Sequence, residues 1–232
     1  MDGDQVLEIG PGAGALLYEL SLQGFQCNAL EQSLEAVSQA GELFAGCEGN
    51  LRFTSEPGDD WENRFDLAIS LEVLEHIEDD EVHLRTWCSW LKPEGTLILS
   101  VPSRMSKWCA TDEWAGHFRR YEKLELEELF LKCGLEIEFV CSYGYPLANL
   151  IAPISSFNHQ KIMRREDIDG DALEKKSATE RSGTDRPLES KLFLLMDNIV
   201  AVPIMKFFLW IQKKFLKSDL GDGYVVQAKR VD

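Results

Sequence analysis

The stretch Val6-Leu7-Glu8-Ile9-Gly10-Pro11-Gly12-Ala13-Gly14 decides the fold. A short apolar run of the kind buried in a parallel sheet leads directly into three glycines and then into the apolar-polar pattern of a helix. Glycine tolerates positive φ and lets the backbone approach a ligand closely. The first turn of the helix adds unpaired N–H donors and partial positive charge. The spacing is Gly-x-Gly-x-Gly with an acid two residues before the first glycine, which is more specific than an isolated glycine pair.

The same alternation continues outward from this turn. Gln5–Gly10 reads as a strand and Ala13–Gln23 as its helix, followed by a strand at Gln26–Gln32 and a helix from Leu34 to about Ala45. Leu51–Ser55 is a third strand. Phe65–Leu71 is a fourth, and Asp80–Leu91 its helix, ended by Pro93 and Gly95. Thr96–Val101 is a fifth strand, stopped by Pro102. Lys123–Lys132 reads as a helix, with strands at Leu135–Val140 and Gly223–Lys229. Strands alternating with helices predict an α/β doubly wound sheet.

Residues 146–221 interrupt that pattern. Met163–Ser190 is polar and charge-rich and reads as a linker, partly disordered. Leu192–Leu216 is apolar and aromatic, but Asp197, Asn198, Pro203 and Lys206 argue against a membrane span. A helical cap on the core is expected there, with peripheral membrane contact through 192–216 as the competing reading. The expected division is a core of 1–145 and 222–232, with 146–221 as the insertion.

Composition narrows the partners. The formal net charge of −16 disfavours nucleic acid, because phosphate neutralisation needs Lys and Arg, and points to a small-molecule substrate. Six scattered cysteines with no C-x-x-C pair predict reduced thiols. The polar start Met1-Asp2-Gly3-Asp4 does not read as a secretory leader, so a cytoplasmic setting is expected.

Glu31, in Ala29-Leu30-Glu31-Gln32, closes the second strand. In doubly wound sheets an acid there lies beside the glycine turn and accepts hydrogen bonds from a ribose diol. Together with the turn it indicates an adenosine-containing cofactor. The sequence resembles the class I S-adenosylmethionine-dependent methyltransferases in four ordered blocks. These are the E-I-G-P-G-A-G turn, Glu31, the run Phe65-Asp66-Leu67-Ala68-Ile69-Ser70-Leu71-Glu72-Val73-Leu74-Glu75-His76-Ile77, and Leu91-Lys92-Pro93-Glu94-Gly95-Thr96-Leu97-Ile98. The stretch Gly116-His117-Phe118-Arg119-Arg120-Tyr121 is also common in that family, and the likeness covers 5–145 and the final strand.

The resemblance implies a seven-stranded Rossmann-like sheet, mostly parallel with an antiparallel last strand, and S-adenosylmethionine as cofactor. It implies that Glu8, Gly10, Pro11, Gly12 and Gly14 hold the cofactor's amino-acid end and Glu31 its ribose, with Gln32 alongside. Leu71 and Glu72 would line the pocket. The segment Thr54–Asp60 departs from the family pattern, leaving Asp59 and Asp60 as weak candidates for the adenine. The sequence opens almost on its first strand, without the helices that usually precede it, so the 146–221 insertion is expected to serve as a lid.

His76 and His117 are the candidate catalytic bases. Glu72, Glu75, His76 and His117 also resemble the ligand pattern of metal-dependent ubiquinone-pathway O-methyltransferases and small-RNA 3′-end methyltransferases, which would take a divalent metal. The tetrapeptide Leu-Glu-His-Ile equally serves the family without metal. Arg119, Arg120 and Tyr121 are either contacts for an anionic substrate or salt-bridge partners. Two other classes compete with a methyltransferase of small molecules by O- or N-methylation. An NAD-dependent oxidoreductase would share the turn and Glu31. A non-catalytic cofactor-binding member would share every motif.

Overall fold

The computed structural model describes residues 3–44, 50–169 and 201–231. Its elements in chain order are β1 (Gln5–Ile9), α1 (Ala15–Leu22), β2 (Gln26–Leu30), α2 (Leu34–Leu43), β3 (Leu51–Thr54) and β4 (Phe65–Leu71). They continue with α3 (Asp80–Trp90), β5 (Leu91–Pro102), α4 (Ala110–Ala115), α5 (Lys123–Lys132) and β6 (Leu135–Tyr143). The described chain ends with α6 (Leu147–Asp169), α7 (Ala201–Phe215) and β7 (Gly223–Arg230).

The seven strands form one sheet in the order β3-β2-β1-β4-β5-β7-β6. β1 pairs in parallel with both β2 and β4, placing Glu8 opposite Ala29 on one side and Ile69 on the other. β7 enters antiparallel between β5 and β6. The strand order reverses between β1 and β4, so the crevice at their carboxyl ends is the switch point of the sheet. Val6, Leu17, Cys27, Ala29 and Ile69 form a buried cluster, with Leu20, Phe25, Leu51, Phe53 and Leu67 packed against it. Tying α1 to the sheet through these side chains fixes where α1 begins.

Several boundaries differ from the sequence pattern for local reasons. α1 starts at Ala15, two residues late, because Gly10, Gly12 and Gly14 all take positive φ and keep Pro11–Gly14 as a loop. β5 starts at Leu91, well before Thr96, although Pro93 and Gly95 look like breakers. Phe65 pairs with Leu91 and Leu67 with Thr96, so the register shifts between them and the proline falls at an irregularity, where a missing N–H is tolerated. Lys92 Nζ pins this stretch to Asp66 at 2.7 and 2.8 Å. β6 runs on to Tyr143, three residues past Val140.

The expected linker from Met163 is corrected at its start, since α6 continues helical to Asp169. The rest of Met163–Ser190 lies outside the described residues, as does Leu192–Val200. Within 201–216 the expected helix is α7. Cys27, Cys88, Cys109, Cys133 and Cys141 are free thiols; Cys47 lies outside the described residues.

The chain divides into two compact units. The first holds Met1–Val101, Lys123–Val140 and Val225–Asp232, and the second holds Pro102–Glu122 and Cys141–Tyr224. The sequence pattern puts Pro102–Glu122 with the core. Its buried polar side chains instead bond to residues near Gly221: Ser103 Oγ donates to the Gly221 carbonyl at 2.9 Å, and its N–H donates to the Asp222 carbonyl at 2.8 Å. In the second unit α4 packs on α6, with Trp114 stacked on His159 at 4.3 Å between ring centroids.

Candidate functional site

In the first unit, the β1–α1 turn shows why each glycine stands where it does. A Cβ on Gly10 would meet Val73 at 2.6 Å, and one on Gly14 would meet Phe53 at 2.5 Å. Both positions are closed by packing. A Cβ on Gly12, by contrast, would meet nothing within 4 Å, although its φ is +56°. Gly12 therefore faces open space, as a backbone that receives a ligand should.

Glu8 lies beneath this turn and is buried. Burial raises its carboxyl to about 7, against a smaller lowering effect from the Leu17 N–H. Its Oε2 has no hydrogen-bond partner among the described residues. A buried carboxylate oxygen without a donor is costly, and a cationic or N–H-bearing ligand would relieve that cost. This orphaned atom and the open face at Gly12 fit a cofactor with an ammonium end.

Glu31 is preset beside the same turn. Its Oε2 accepts from the Gly12 N–H at 2.9 Å and its Oε1 from the Ser33 N–H at 2.8 Å. A carboxylate has about four acceptor positions, so each oxygen can hold one backbone donor and still receive a hydroxyl. Ser33 also caps α2 by accepting from the Ala36 N–H at 3.2 Å, which fixes the chain just after Glu31 and leaves Gln32 exposed.

Across the switch point, β4 ends at Leu71, 38% exposed, followed by Glu72 at φ +57°. A non-glycine residue in this region is strained, and such strain concentrates at functional sites. Three bonds hold it there. The Glu72 N–H donates to the Ser100 carbonyl at 3.1 Å and to Ser100 Oγ at 3.2 Å, while Ser100 Oγ donates to Glu72 Oε1 at 2.7 Å. Leu74–His76 then forms a 3-10 turn in which Glu75 is fully buried and His76 is half-buried. Asp60, a weak candidate for the adenine, is bonded to Arg64.

His117 belongs to the second unit and follows the α4 cap Gly116. Its Nδ1 lies 3.0 Å from Oδ1 of the buried Asp112. Burial alone would raise the Asp112 carboxyl, but hydrogen bonds from His117 and Arg120, with the Arg120 charge, outweigh it and hold the group at about 2. An ionised partner at Nδ1 selects the tautomer whose lone pair is on Nε2, the form that accepts a proton.

Of the two readings of Arg120, the structure bears out the salt-bridge partner and not the substrate contact. It is buried, with Nε on Asp112 Oδ1 at 2.7 Å and Nη1 on Asp222 Oδ1 at 3.1 Å. Its charge is spent on holding the fold. Tyr121 is also buried, its N–H on the Pro102 carbonyl at 3.0 Å. The sequence reading missed Asp112, Asp222 and Ser100. Asp112 sits five and eight residues before its partners, both of which lie beyond the end of α4 where no helical period relates them, and Asp222 is about a hundred residues away from Arg120. A cleft of about 410 Å³ between α6 and α7, walled by Leu147, Ile151, Met205 and Phe208, is also in the second unit.

A parallel sheet reversing at β1 and β4, with a glycine turn, a buried acid below it and a second acid beside it, defines the class of doubly wound domains that hold a cofactor at the switch point. The chain belongs to the methyltransferase domain family, whose model matches residues 2–139. It is similar to the ubiquinone biosynthesis O-methyltransferase of Bradyrhizobium diazoefficiens, 34% identical over 107 residues, 45% of this chain and 42% of that one. The enzyme of the same description from Rhizobium johnstonii is 28% identical over 166 residues, 64% of this chain and 67% of that one. The chain thus spans less than half the length of several curated relatives it matches.

Among solved structures, the [4+2]-cyclase SpnF has a TM-score of 0.61 at 16% identity, over 100% of this chain and 76% of that one. An S-adenosylmethionine-dependent methyltransferase from Mesorhizobium loti has a TM-score of 0.58 at 16% identity, over 99% and 92%. At such identity these neighbours support the fold and leave the reaction to the site.

Proposed function

We propose that this chain binds S-adenosylmethionine at the β1–α1 turn and transfers its methyl group to an oxygen or nitrogen of a small molecule. The observation that carries the reading is the open face of Gly12 above the unpartnered Glu8 carboxylate oxygen, with Glu31 held alongside. Glu8 offers negative charge to the cofactor's ammonium, and Glu31 offers acceptor positions to the ribose hydroxyls. Gly10, Pro11 and Gly14 shape the turn, and Gln32, Leu71 and Glu72 border it. When bound, the cofactor supplies an already activated methyl on a sulfonium, so the protein's part is to orient the nucleophile and exclude water.

An oxygen acceptor needs its proton removed, and His76 and His117 are the bases available for it. The ionised Asp112 beside His117 fixes the orientation of the ring, with Nδ1 turned to the carboxylate. The names of the curated relatives favour oxygen over nitrogen, and the −16 charge disfavours a nucleic-acid acceptor. In this reading the Leu-Glu-His-Ile block serves methyl transfer without a metal, and Glu72, Glu75, His76 and His117 hold none. Activity undiminished after exhaustive chelation is the expected result.

Isothermal titration calorimetry tests the reading directly. S-adenosylmethionine and its demethylated product should both bind, and NAD should not. Binding of NAD alone would move the chain to the oxidoreductases. Binding of the methyl donor with no transfer to any phenol or amine offered would favour a non-catalytic member.

A further inference from the structure

The helices α6 and α7 of the second unit carry an arrangement that neither the fold nor the proposed reaction requires. α7 is apolar on two opposite faces. Met205, Phe208 and Gln212 recur at helical spacing on one face and line the cleft against α6. On the other, Ile204, Phe207 and Trp210 stand 50%, 56% and 56% exposed. Phe207 and Trp210 stack at 6.2 Å between centroids, and Lys214 Nζ lies 4.8 Å from the Trp210 ring centre.

α6 repeats the layout. Leu150, Ile154 and Phe157 are 61%, 63% and 67% exposed along one stripe, and Lys161 and Arg164 continue the same stripe toward the helix end. Exposed apolar side chains occur singly on any surface, but three of them on one stripe of α7, two of them aromatic, mark something to be covered.

Charge identifies the covering surface. Residues 201–217 contain no Asp or Glu, yet they carry Lys206, Lys213, Lys214 and Lys217, all exposed, while α6 carries Lys161 and Arg164 ahead of the acids Glu166, Asp167 and Asp169. The chain as a whole has a net charge of −16. A second copy would bring the same cations against these, and an ordinary anionic protein surface offers no place for a row of aromatic rings. Aromatic and aliphatic side chains flanked by lysines suit the interface of a bilayer, with rings at the headgroup level and ammonium groups among phosphates. No helix among the described residues is long and apolar enough to cross a membrane, so α7 would lie along it.

We infer that the exposed Ile204–Phe207–Trp210 face of α7, with its flanking lysines, is a docking surface for an anionic lipid bilayer. Each lysine or arginine close to such a surface adds roughly fivefold to the partition, and that contribution fades with salt.

Co-sedimentation of the full chain with phosphatidylcholine vesicles, with and without one quarter phosphatidylglycerol, tests this. The expected result is pelleting with the anionic vesicles at low salt, at least tenfold weaker pelleting with neutral ones, and release at high salt. The double variant Phe207→Glu, Trp210→Glu should remain in the supernatant. Both side chains point away from the cleft, so its circular dichroism and melting temperature should match the parent. Lys213→Gln with Lys214→Gln should weaken binding and flatten its salt dependence. Should the double variant fail to fold, the lysine pair alone decides. A parent that ignores anionic vesicles overturns the inference, whether it is monomeric or a dimer that Phe207→Glu dissociates. Vesicle binding unchanged in every folded variant overturns it equally.

Discussion

Glu8 is where one residue's environment has the widest consequence. Its folded carboxyl titrates at about 7, above the unfolded value of 4.5, because burial outweighs the single donor from Leu17. Stability from the neutral form is therefore complete below about 4.5 and declines as the pH rises through 7. Glu8→Gln should melt higher than the parent at pH 8 and no higher at pH 4, as thermal unfolding at the two pH values would reveal. The same residue predicts how the methyl donor binds. Glu8 must ionise to meet an ammonium, so affinity should climb between pH 6 and 8 with release of a proton; calorimetry in buffers of different ionisation enthalpy reads that proton. In Glu8→Gln the climb should vanish. Gly12→Val should cost tenfold or more in donor affinity, since the new side chain occupies the open face, with about 1 kcal/mol of backbone strain at φ +56°. Unaltered affinity in that variant would remove the turn as the binding site.

At the level of elements, the short helix α4 and the segment after it are tied together by buried ion pairs. Asp112 on α4 is fully buried against Arg120 and His117, and Arg120 extends the network to Asp222 just before β7. Removing one partner from such a group leaves an uncompensated buried charge, which costs about 3–5 kcal/mol. Arg120→Met is thus expected to unfold the second unit at far lower urea concentrations than the parent. Asp112→Asn keeps the shape and loses the charge. Asp112 has its carboxyl depressed to about 2, so its stabilisation is present above the unfolded value of 3.8 and fades as pH falls toward 2. The difference between Asp112→Asn and the parent should accordingly be largest near neutrality and shrink on acidification. A constant difference across that range would show that the charge contributes nothing. None of this network is visible in the pattern of helices and strands, where α4 looks like an ordinary acidic turn.

For the molecule as a whole, a net charge of −16 burdens the folded state with self-repulsion and, in the reading proposed above, disfavours a nucleic-acid acceptor. Raising salt from a low value should therefore lift the melting temperature, and duplex DNA should not bind at moderate ionic strength by fluorescence anisotropy. The sequence by itself determined the doubly wound sheet, the glycine turn and the two acids Glu8 and Glu31. These are local facts, carried by strand and helix periods and by φ values that only glycine adopts readily. Phe65–Leu71 and Lys123–Lys132 were legible to the residue for the same reason. What only the tertiary structure decided depends on groups far apart in the chain. β5 starts early because Leu91 pairs with Phe65 across the sheet, with Lys92 bonded to Asp66 beside it. Glu72 is held in a strained conformation because Ser100 faces it from the neighbouring strand β5. Arg120 serves the fold and not a substrate because Asp112 and Asp222 close on it from opposite ends of the sequence. A pairing of this kind depends on how the chain returns upon itself, and no period or propensity along the sequence encodes that distance.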